Sequence, residues 1–152
     1  MPQESTPSQH EAIGRLLELL PTFEAPDFVP ATWPERFRID ENGVRHEHVP
    51  YPDYAPAVEE FRRRAPGFIA GIHPYRALPE DASQDGIVFS VLGTSFPLEY
   101  FQTATVDQIR RYFVLLFRGE RFCDGHIEGE FKAGKVTAAL KRLKELAPAY
   151  KK

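Results

Sequence analysis

Apolar residues recur at helical spacing between residues 105 and 118, in the clearest pattern of the chain. The inward positions of this pattern are Val106, Ile109, Phe113, Leu116 and Phe117. The residues between them in the last turns are also apolar, and a helix that is apolar on every side is a buried one. Thr105 and Gln108 have the spacing of a capping box. The pattern therefore predicts the central helix of the fold over residues 105–118, ended by Gly119.

Two further helices are predicted over residues 120–132 and 135–146. The first places Phe122 or Cys123 on its apolar side and is followed by Gly134, which has the position of a left-handed cap. The second has an apolar side at helical spacing and a basic outer side. That outer side is formed by Lys135, Lys141, Arg142 and Lys144. Together with the central helix, these segments predict a C-terminal three-helix unit.

The first part of the chain begins with a predicted helix and an extended segment. Ser8 and Glu11 have capping-box spacing, and leucine and isoleucine residues then recur on one face until Pro21, where the helix is expected to end. Prolines and aromatic residues alternate over residues 21–34. Such a segment is typical of an extended strap that lies over a core.

Strand patterns follow. Alternating apolar and charged residues on both sides of an Asn-Gly turn predict a β-hairpin over residues 36–49. A helix is predicted over residues 56–64, stopped by Gly67. β-branched and aromatic residues favour a strand over residues 87–92, and a turn at Gly93 and Thr94 could lead into a second strand over residues 96–101. The predicted fold class is therefore α+β, with an N-terminal helix, a β-hairpin and short strands packed on the C-terminal three-helix unit.

Length and composition predict one domain. The chain has 152 residues, of which 42% are hydrophobic and 27% are charged, as in an ordinary globular protein. Residues 1–8 are expected to form a disordered leader, and residues 9–152 a single globular domain. The sequence has no apolar run near the ~20 residues needed to span a bilayer, no apolar signal sequence and a single cysteine. These features favour a cytoplasmic protein without a membrane partner.

Charge is distributed unevenly along the chain. Residues 104–152 contain eleven basic and six acidic side chains, a net charge of +5, whereas residues 1–103 contain eight basic and sixteen acidic side chains, a net charge of −8. Two solvated faces of one domain are the simpler interpretation. The alternative is that the basic C-terminal helices bind nucleic acid or another polyanion through Lys135, Lys141, Arg142 and Lys144. An acidic overall charge and the absence of aromatic residues among these cations disfavour nucleic acid.

The stretch FRGERFCDG, residues 117–125, concentrates ionic side chains directly after the apolar run. Arg118, Glu120, Arg121 and Asp124 are candidates for an anionic ligand or a partner surface, because guanidinium groups bind carboxylates and phosphates in pairs of hydrogen bonds. The competing interpretation is a structural ion network at a helix junction.

Candidates for catalysis or metal binding are weaker. Cys123 has His126 three residues away as a base, but its place between apolar residues favours a small core residue. His46 and His48 share one face of a strand and could bind a metal, with His73 or an acidic residue as the third ligand. Phosphate-loop, dinucleotide-binding, GxSxG and HExxH patterns are absent from the sequence. No cofactor and no catalytic residue is assigned on this basis.

Two stretches of the chain resemble a known family. RGERFCDG, followed by HIEGEFKAGKV and LKRLKEL, resembles the C-terminal signature of a family of small bacterial proteins catalogued as a domain of unknown function. VPYPDYAPAVEEF with the following GFI resembles the middle segment of that family. The resemblance implies a fold and a compartment but no activity. The sequence thus predicts a small cytoplasmic binding or interaction module without catalysis. Polyanion binding is the alternative, and a small metal- or cysteine-dependent enzyme is the second.

Overall fold

The computed structural model describes residues 7–34, 37–47, 51–73, 77, 88–90 and 93–150. The α-helices among them are α1 Pro7–Leu17, α2 Leu20–Glu24, α3 Pro56–Ile69, α4 Val106–Phe122, α5 His126–Lys132 and α6 Lys135–Tyr150, with a 3₁₀ helix at Leu98–Gln102. The strands are β1 Ala31–Thr32, β2 Phe37–Ile39, β3 Arg45–Glu47, β4 Asp53–Tyr54, β5 Val88–Ser90 and β6 Gly93–Ser95. They form the antiparallel pairs β1–β4, β2–β3 and β5–β6. The predicted α+β class is confirmed.

Helix α4 lies in the core, as its apolar pattern predicts. Ile109, Phe113 and Leu116 are almost fully buried. The ring of Phe113 packs edge-on against Phe61 of α3, with 5.1 Å between centroids. Burial of one such side chain contributes roughly 1.5–3 kcal/mol, so this helix supplies a large part of the apolar stabilisation. The predicted capping box is also present, since the Gln108 N–H donates to the Thr105 hydroxyl and the Gln108 side chain accepts from the Thr105 N–H.

The N-terminal helix ends earlier than the sequence predicts. Helix α1 runs from Pro7 to Leu17, and Pro21 lies in the first turn of α2 instead of ending α1. The prediction was wrong because a proline fits the first turn of a helix, where its missing N–H would have no helical partner. Residues 1–6, most of the predicted leader, lie outside the described residues.

Helix α3 runs past Gly67, where the sequence predicts its end, and stops at Ile69. Phe68 gives the physical reason, because its side chain is completely buried. Arg110 of α4 also donates to the Phe68 carbonyl at 2.8 Å and to the Ala70 carbonyl at 2.5 Å. These bonds satisfy carbonyl groups that a helix end leaves without partners.

The strands agree with the predictions in part. The first hairpin forms as β2–β3, with Ile39 opposite Arg45. In the second region β5 pairs with β6, but the predicted strand over residues 96–101 is wrong. The 3₁₀ helix occupies that place, with Tyr100 and Phe101 buried. Pro97 immediately precedes this helix, a position suited to its fixed φ and missing N–H. None of the helices in the described part of the chain has the length and apolar character needed to cross a membrane.

Candidate functional site

The ionic stretch of the sequence forms the junction between α4 and α5. Helix α4 continues through Gly119 to Phe122, and α5 begins at His126, so the predictions that Gly119 ends the first helix and that the second begins at residue 120 were wrong. The Cys123 N–H still donates to the Gly119 carbonyl at 2.9 Å, a helical bond. Residues 123–125 therefore form the turn between the two helices.

Gly119 has a steric role inside α4. A Cβ atom at this position would lie 2.4 Å from Cδ2 and 2.6 Å from Nε2 of His126. The imidazole ring of His126 thus lies directly on the backbone of α4. Only glycine permits this approach without a shift of the ring or of the helix.

Gly125 lies in the turn, and the ring of Trp33 packs against it. Its φ is +88°, in the left-handed region, and a Cβ atom there would lie 2.7 Å from Cζ2 of Trp33. Trp33, from the segment that follows β1, donates its indole N–H to Glu128 Oε1 at 2.8 Å. The junction is therefore held from outside by a residue nearly a hundred positions earlier in the chain.

Glu120 is the internal anchor of the junction. Its side chain lies on the buried face of α4, and the residue is only 6% exposed. The carboxylate accepts hydrogen bonds from the Tyr54 hydroxyl at 2.7 Å, from the Ile127 N–H at 2.9 Å and from the Gly125 N–H at 3.2 Å. It thus satisfies N–H groups at the start of α5 that a helix leaves without partners, and it favours that end of the helix electrostatically.

Tyr54 remains a hydrogen-bond donor over the ordinary pH range. Burial raises the pKa of its hydroxyl well above the usual value, and the adjacent Glu120 carboxylate raises it further. Because β4 is paired with β1, the bond from Tyr54 to Glu120 joins the segment that carries β1 to the C-terminal helices.

Two more buried glutamates lie on α5. Glu128 accepts from Trp33 and lies 3.6 Å from the Lys132 ammonium. Glu130 lies 3.4 Å from Lys135 Nζ and 3.8 Å from His126 Nε2. Glu120, Glu128 and Glu130, called here the junction carboxylates, each contact hydrogen-bond donors or cations, as buried charges require.

The structure separates the four residues that the sequence grouped as a candidate surface. Glu120 lies inside the protein, Arg118 is half-buried, and Arg121 and Asp124 are exposed. In the part of the chain that the structure describes, Arg121 and Asp124 form no ion pair with each other or with another residue. Phe122, between them in sequence, is 75% exposed.

Several residues of this junction were missed from the sequence. They are Trp33, Tyr54, Glu128 and Glu130. The sequence predicts Phe122 or Cys123 on the apolar side of the second helix, but both residues are exposed, and α5 begins only at His126. One signal for burial was present: Glu120 follows Leu116 at i+4, so it continues the buried stripe of α4.

The basic residues proposed for polyanion binding are largely paired with acids. Lys135 lies 3.4 Å from Glu130, and Lys141 lies 3.7 Å from Glu24. Arg142 donates to the Ala104 carbonyl and to Glu145, each at 2.9 Å. Lys144 is exposed and has no acidic partner among the described residues. This arrangement gives little support to a continuous cationic surface.

The candidates for metal binding and for cysteine chemistry lie at separate places, on the β2–β3 hairpin and in the α4–α5 turn. His46 lies on the exposed hairpin with Nε2 2.7 Å from Asp40, whereas His48 falls outside the described residues. No group of three histidine, cysteine or acidic side chains that could hold a metal occurs in the described ranges. The thiol of Cys123 is exposed and, within the same ranges, forms no hydrogen bond with the His126 ring, which contacts α4 and Glu130.

The comparison with family models adds one finding. Residues 94–149 match DUF6508, a family of unknown function. The match covers the 3₁₀ helix, α4, α5 and nearly all of α6, and it confirms the resemblance to a family of unknown function. The resembling middle segment, residues 49–61, lies outside the DUF6508 match. No curated protein and no solved structure matches the chain.

Proposed function

We propose that the protein is a cytoplasmic protein-binding module without catalytic activity, and that its partner docks on the α4–α5 turn. The docking surface consists of Trp33, Arg121, Phe122 and Asp124, called here the turn surface. The exposure of Phe122 is the observation that carries the proposal. When a partner covers a large aromatic side chain that is 75% exposed, apolar surface is removed from water, and this lowers the free energy of the complex.

A second aromatic residue extends the apolar part of the surface. Trp33 is 44% exposed, and its ring packs on Gly125 at the end of the same turn. Tryptophan and arginine are enriched among the residues that dominate binding energies at protein interfaces. Isolated exposed apolar residues are common, but two aromatic residues at one fixed turn favour an interface.

The turn is fixed before any partner arrives. Glu120 holds the Gly125 and Ile127 amides, Gly119 receives the His126 ring, and Trp33 closes over Gly125. A surface that is already ordered loses less conformational entropy on binding than a mobile loop does. The buried contacts below the turn therefore support an interface above it.

The charges on the turn surface favour a polypeptide over a polyanion. Arg121 can pair with a carboxylate, whereas Asp124, three residues later, would repel phosphate groups. A partner segment with an apolar side chain between an acidic and a basic residue matches this pattern. The exposed free thiol of Cys123 is compatible with a reducing compartment.

Photo-crosslinking tests this proposal. The photoreactive amino acid p-benzoylphenylalanine is placed at Phe122 or, as a matched control, at Leu98, which is 47% exposed on the 3₁₀ helix. The proposal predicts a discrete crosslinked protein in the native host from position 122 and not from position 98.

The crosslinked protein is then purified, and its affinity is measured by calorimetry. Phe122→Ala should weaken binding at least about tenfold, and Arg121→Ala about threefold, whereas Leu98→Ala should have no effect. Equal binding by wild type and Phe122→Ala, or identical crosslinking from both positions, would disprove docking at the turn surface.

A further inference from the structure

An apolar groove lies between α1, α2 and α6. Its volume is about 570 Å³, within the range of small-molecule sites. The apolar part of its lining includes Ile13, Leu17, Leu20 and Ala147. None of these residues belongs to the turn surface or to the junction carboxylates.

Gly14 leaves room along one side of the groove. It lies in the middle of α1, where glycine weakens a helix relative to other residues. A Cβ atom at this position would meet no heavy atom within 4 Å, so no neighbouring group of the protein requires glycine there. A larger residue at position 14 would instead extend into the open groove that it lines.

The charged residues on the rim differ in their pairing. Glu18 is paired with Arg64 at 2.9 Å, and Glu24 is paired with Lys141 at 3.7 Å. Lys144 also lines the groove but has no acidic partner among the residues that the structure describes. Lys144 is therefore a cation at the edge of the groove that has no acidic partner among the described residues, and it lies beside the apolar lining.

We propose that this groove binds a small apolar monocarboxylate, with the hydrocarbon part between α1 and α6 and the carboxylate at Lys144. Apolar burial supplies most of the affinity, because each methylene group removed from water contributes to binding. The ammonium group of Lys144 orients the molecule and selects an acid over a neutral compound. Because Glu18 and Glu24 are already paired with Arg64 and Lys141, they offset little of the attraction between Lys144 and the bound carboxylate.

Decanoate is a suitable probe, used below its micelle concentration with the full chain. Amide resonances in two-dimensional NMR spectra should shift for Gly14, Leu17 and Ala147, and saturation of these shifts gives the dissociation constant. Gly14→Phe should weaken decanoate binding at least tenfold, because the new ring fills the groove. Gly129→Phe is the matched control, since Gly129 is also a helical glycine where an added Cβ would meet no atom within 4 Å, and it lies outside the groove lining.

The charge is tested separately from the shape. Lys144→Gln should weaken decanoate binding about two- to fivefold, the size expected for an exposed ion pair, and should leave decanol binding unchanged. Absence of saturable shifts with wild type, or equal decanoate affinity in wild type and Gly14→Phe, would overturn the proposal. Equal losses for decanoate and decanol in Lys144→Gln would overturn the role of the carboxylate.

Discussion

The β2–β3 hairpin and the α4–α5 junction are both organised by one carboxylate that accepts hydrogen bonds from the residues after it. Asp40 accepts from the Asn42 and Val44 amides at 2.9 Å each and lies 2.7 Å from His46 Nε2. Glu120 accepts from two backbone amides and from the Tyr54 hydroxyl over similar distances. In number and length of hydrogen bonds, the two turns are nearly the same.

They differ in their access to water. Every residue of β2 and β3 is exposed, so water can replace any hydrogen bond that Asp40 loses. Glu120 is buried beneath α5, where a lost bond leaves an amide or a hydroxyl without a partner. A hydrogen bond contributes little net free energy, but a buried group without a partner is strongly unfavourable. Burial, and not the number of bonds, should therefore decide which carboxylate the fold depends on.

The largest expected effect follows removal of the buried carboxylate. Glu120→Ala leaves the Tyr54 hydroxyl and the amides of Gly125 and Ile127 without their acceptor, and should lower the free energy of unfolding by about 3–5 kcal/mol. Glu120→Gln retains an acceptor oxygen and should lower it less, by about 1–2 kcal/mol. Urea denaturation followed by circular dichroism measures both values.

Asp124→Ala is the control for this experiment, because it removes an exposed carboxylate four residues away. Its effect should stay within about 0.5 kcal/mol. If Glu120→Ala were as stable as Asp124→Ala, the contrast between the two turns would not hold.

The next effect concerns the close approach of His126 to α4. Gly119→Ala places a Cβ atom where the imidazole ring lies and should destabilise the protein by about 1–3 kcal/mol. Gly129→Ala, at a helical glycine with open space around its Cβ position, should stabilise it by about 0.5–1 kcal/mol. The unfolding midpoint in urea reports both changes.

A double-mutant cycle identifies the clash. In a His126→Ala background the ring is gone, so Gly119→Ala should no longer be destabilising and the two changes should be strongly non-additive. Simple additivity would show that Gly119 is required for a reason other than the His126 ring.

Alkaline pH should lower the free energy of unfolding of the protein. Burial raises the pKa of Tyr112 well above its usual value, with the charge of Glu130 adding to the effect, and burial likewise raises that of Tyr54. Above about pH 10 the unfolded chain releases protons that these two hydroxyls retain in the folded state, so stability falls as pH rises. Each retained proton contributes a slope of up to about 1.4 kcal/mol per pH unit. Urea titrations between pH 9 and 11 should show a shallower decline for Tyr112→Phe, whereas an unchanged slope would contradict this origin.

The same two tyrosines separate the effect of a hydrogen bond from that of burial at neutral pH. Tyr54→Phe removes a donor from Glu120 and should lower stability by about 1 kcal/mol. The buried hydroxyl of Tyr112 has no hydrogen-bond partner among the described groups, so Tyr112→Phe should be neutral or slightly stabilising. Thermal unfolding at pH 7 compares the variants, and an equal loss in both would show that the bond to Glu120 is not the cause.

The sequence predicts the features that depend on local spacing. The burial of α4, its capping box, the β2–β3 hairpin and the left-handed Gly134 all follow from residues close together in the chain. The ends of α3 and α4 were wrong at Gly67 and Gly119. In both cases the sequence shows a glycine that can end a helix. The helix nevertheless continues past this glycine, because its later residues make contacts with residues that are distant in the sequence.

The site was less predictable because its contacts span long distances in the chain. Tyr54 reaches Glu120 across 66 positions, and Trp33 reaches Glu128 across 95. No periodicity within one segment can pair such residues. Only the position of Glu120 on the buried stripe of α4 indicated locally that this carboxylate lies inside.

The smallest expected effect is at the hairpin. Asp40→Asn should leave the urea midpoint of the whole protein unchanged but should speed amide hydrogen exchange at Val44 relative to wild type, since local opening of this turn does not disturb the core. The hydrogen bond with His46 is the main cause that lowers the pKa of Asp40 in the folded protein. The stabilisation linked to this lowered pKa is present above the pKa that Asp40 has in the unfolded chain. It is lost as pH falls through the pKa that Asp40 has in the folded protein. Exchange at Val44 should therefore also quicken below about pH 4 after correction for the intrinsic rate. Glu41→Gln, at the adjacent exposed carboxylate, serves as the control and should change neither quantity. A drop in global stability for Asp40→Asn comparable to that of Glu120→Ala would mean that the hairpin supports the core, and burial would no longer distinguish the two carboxylates.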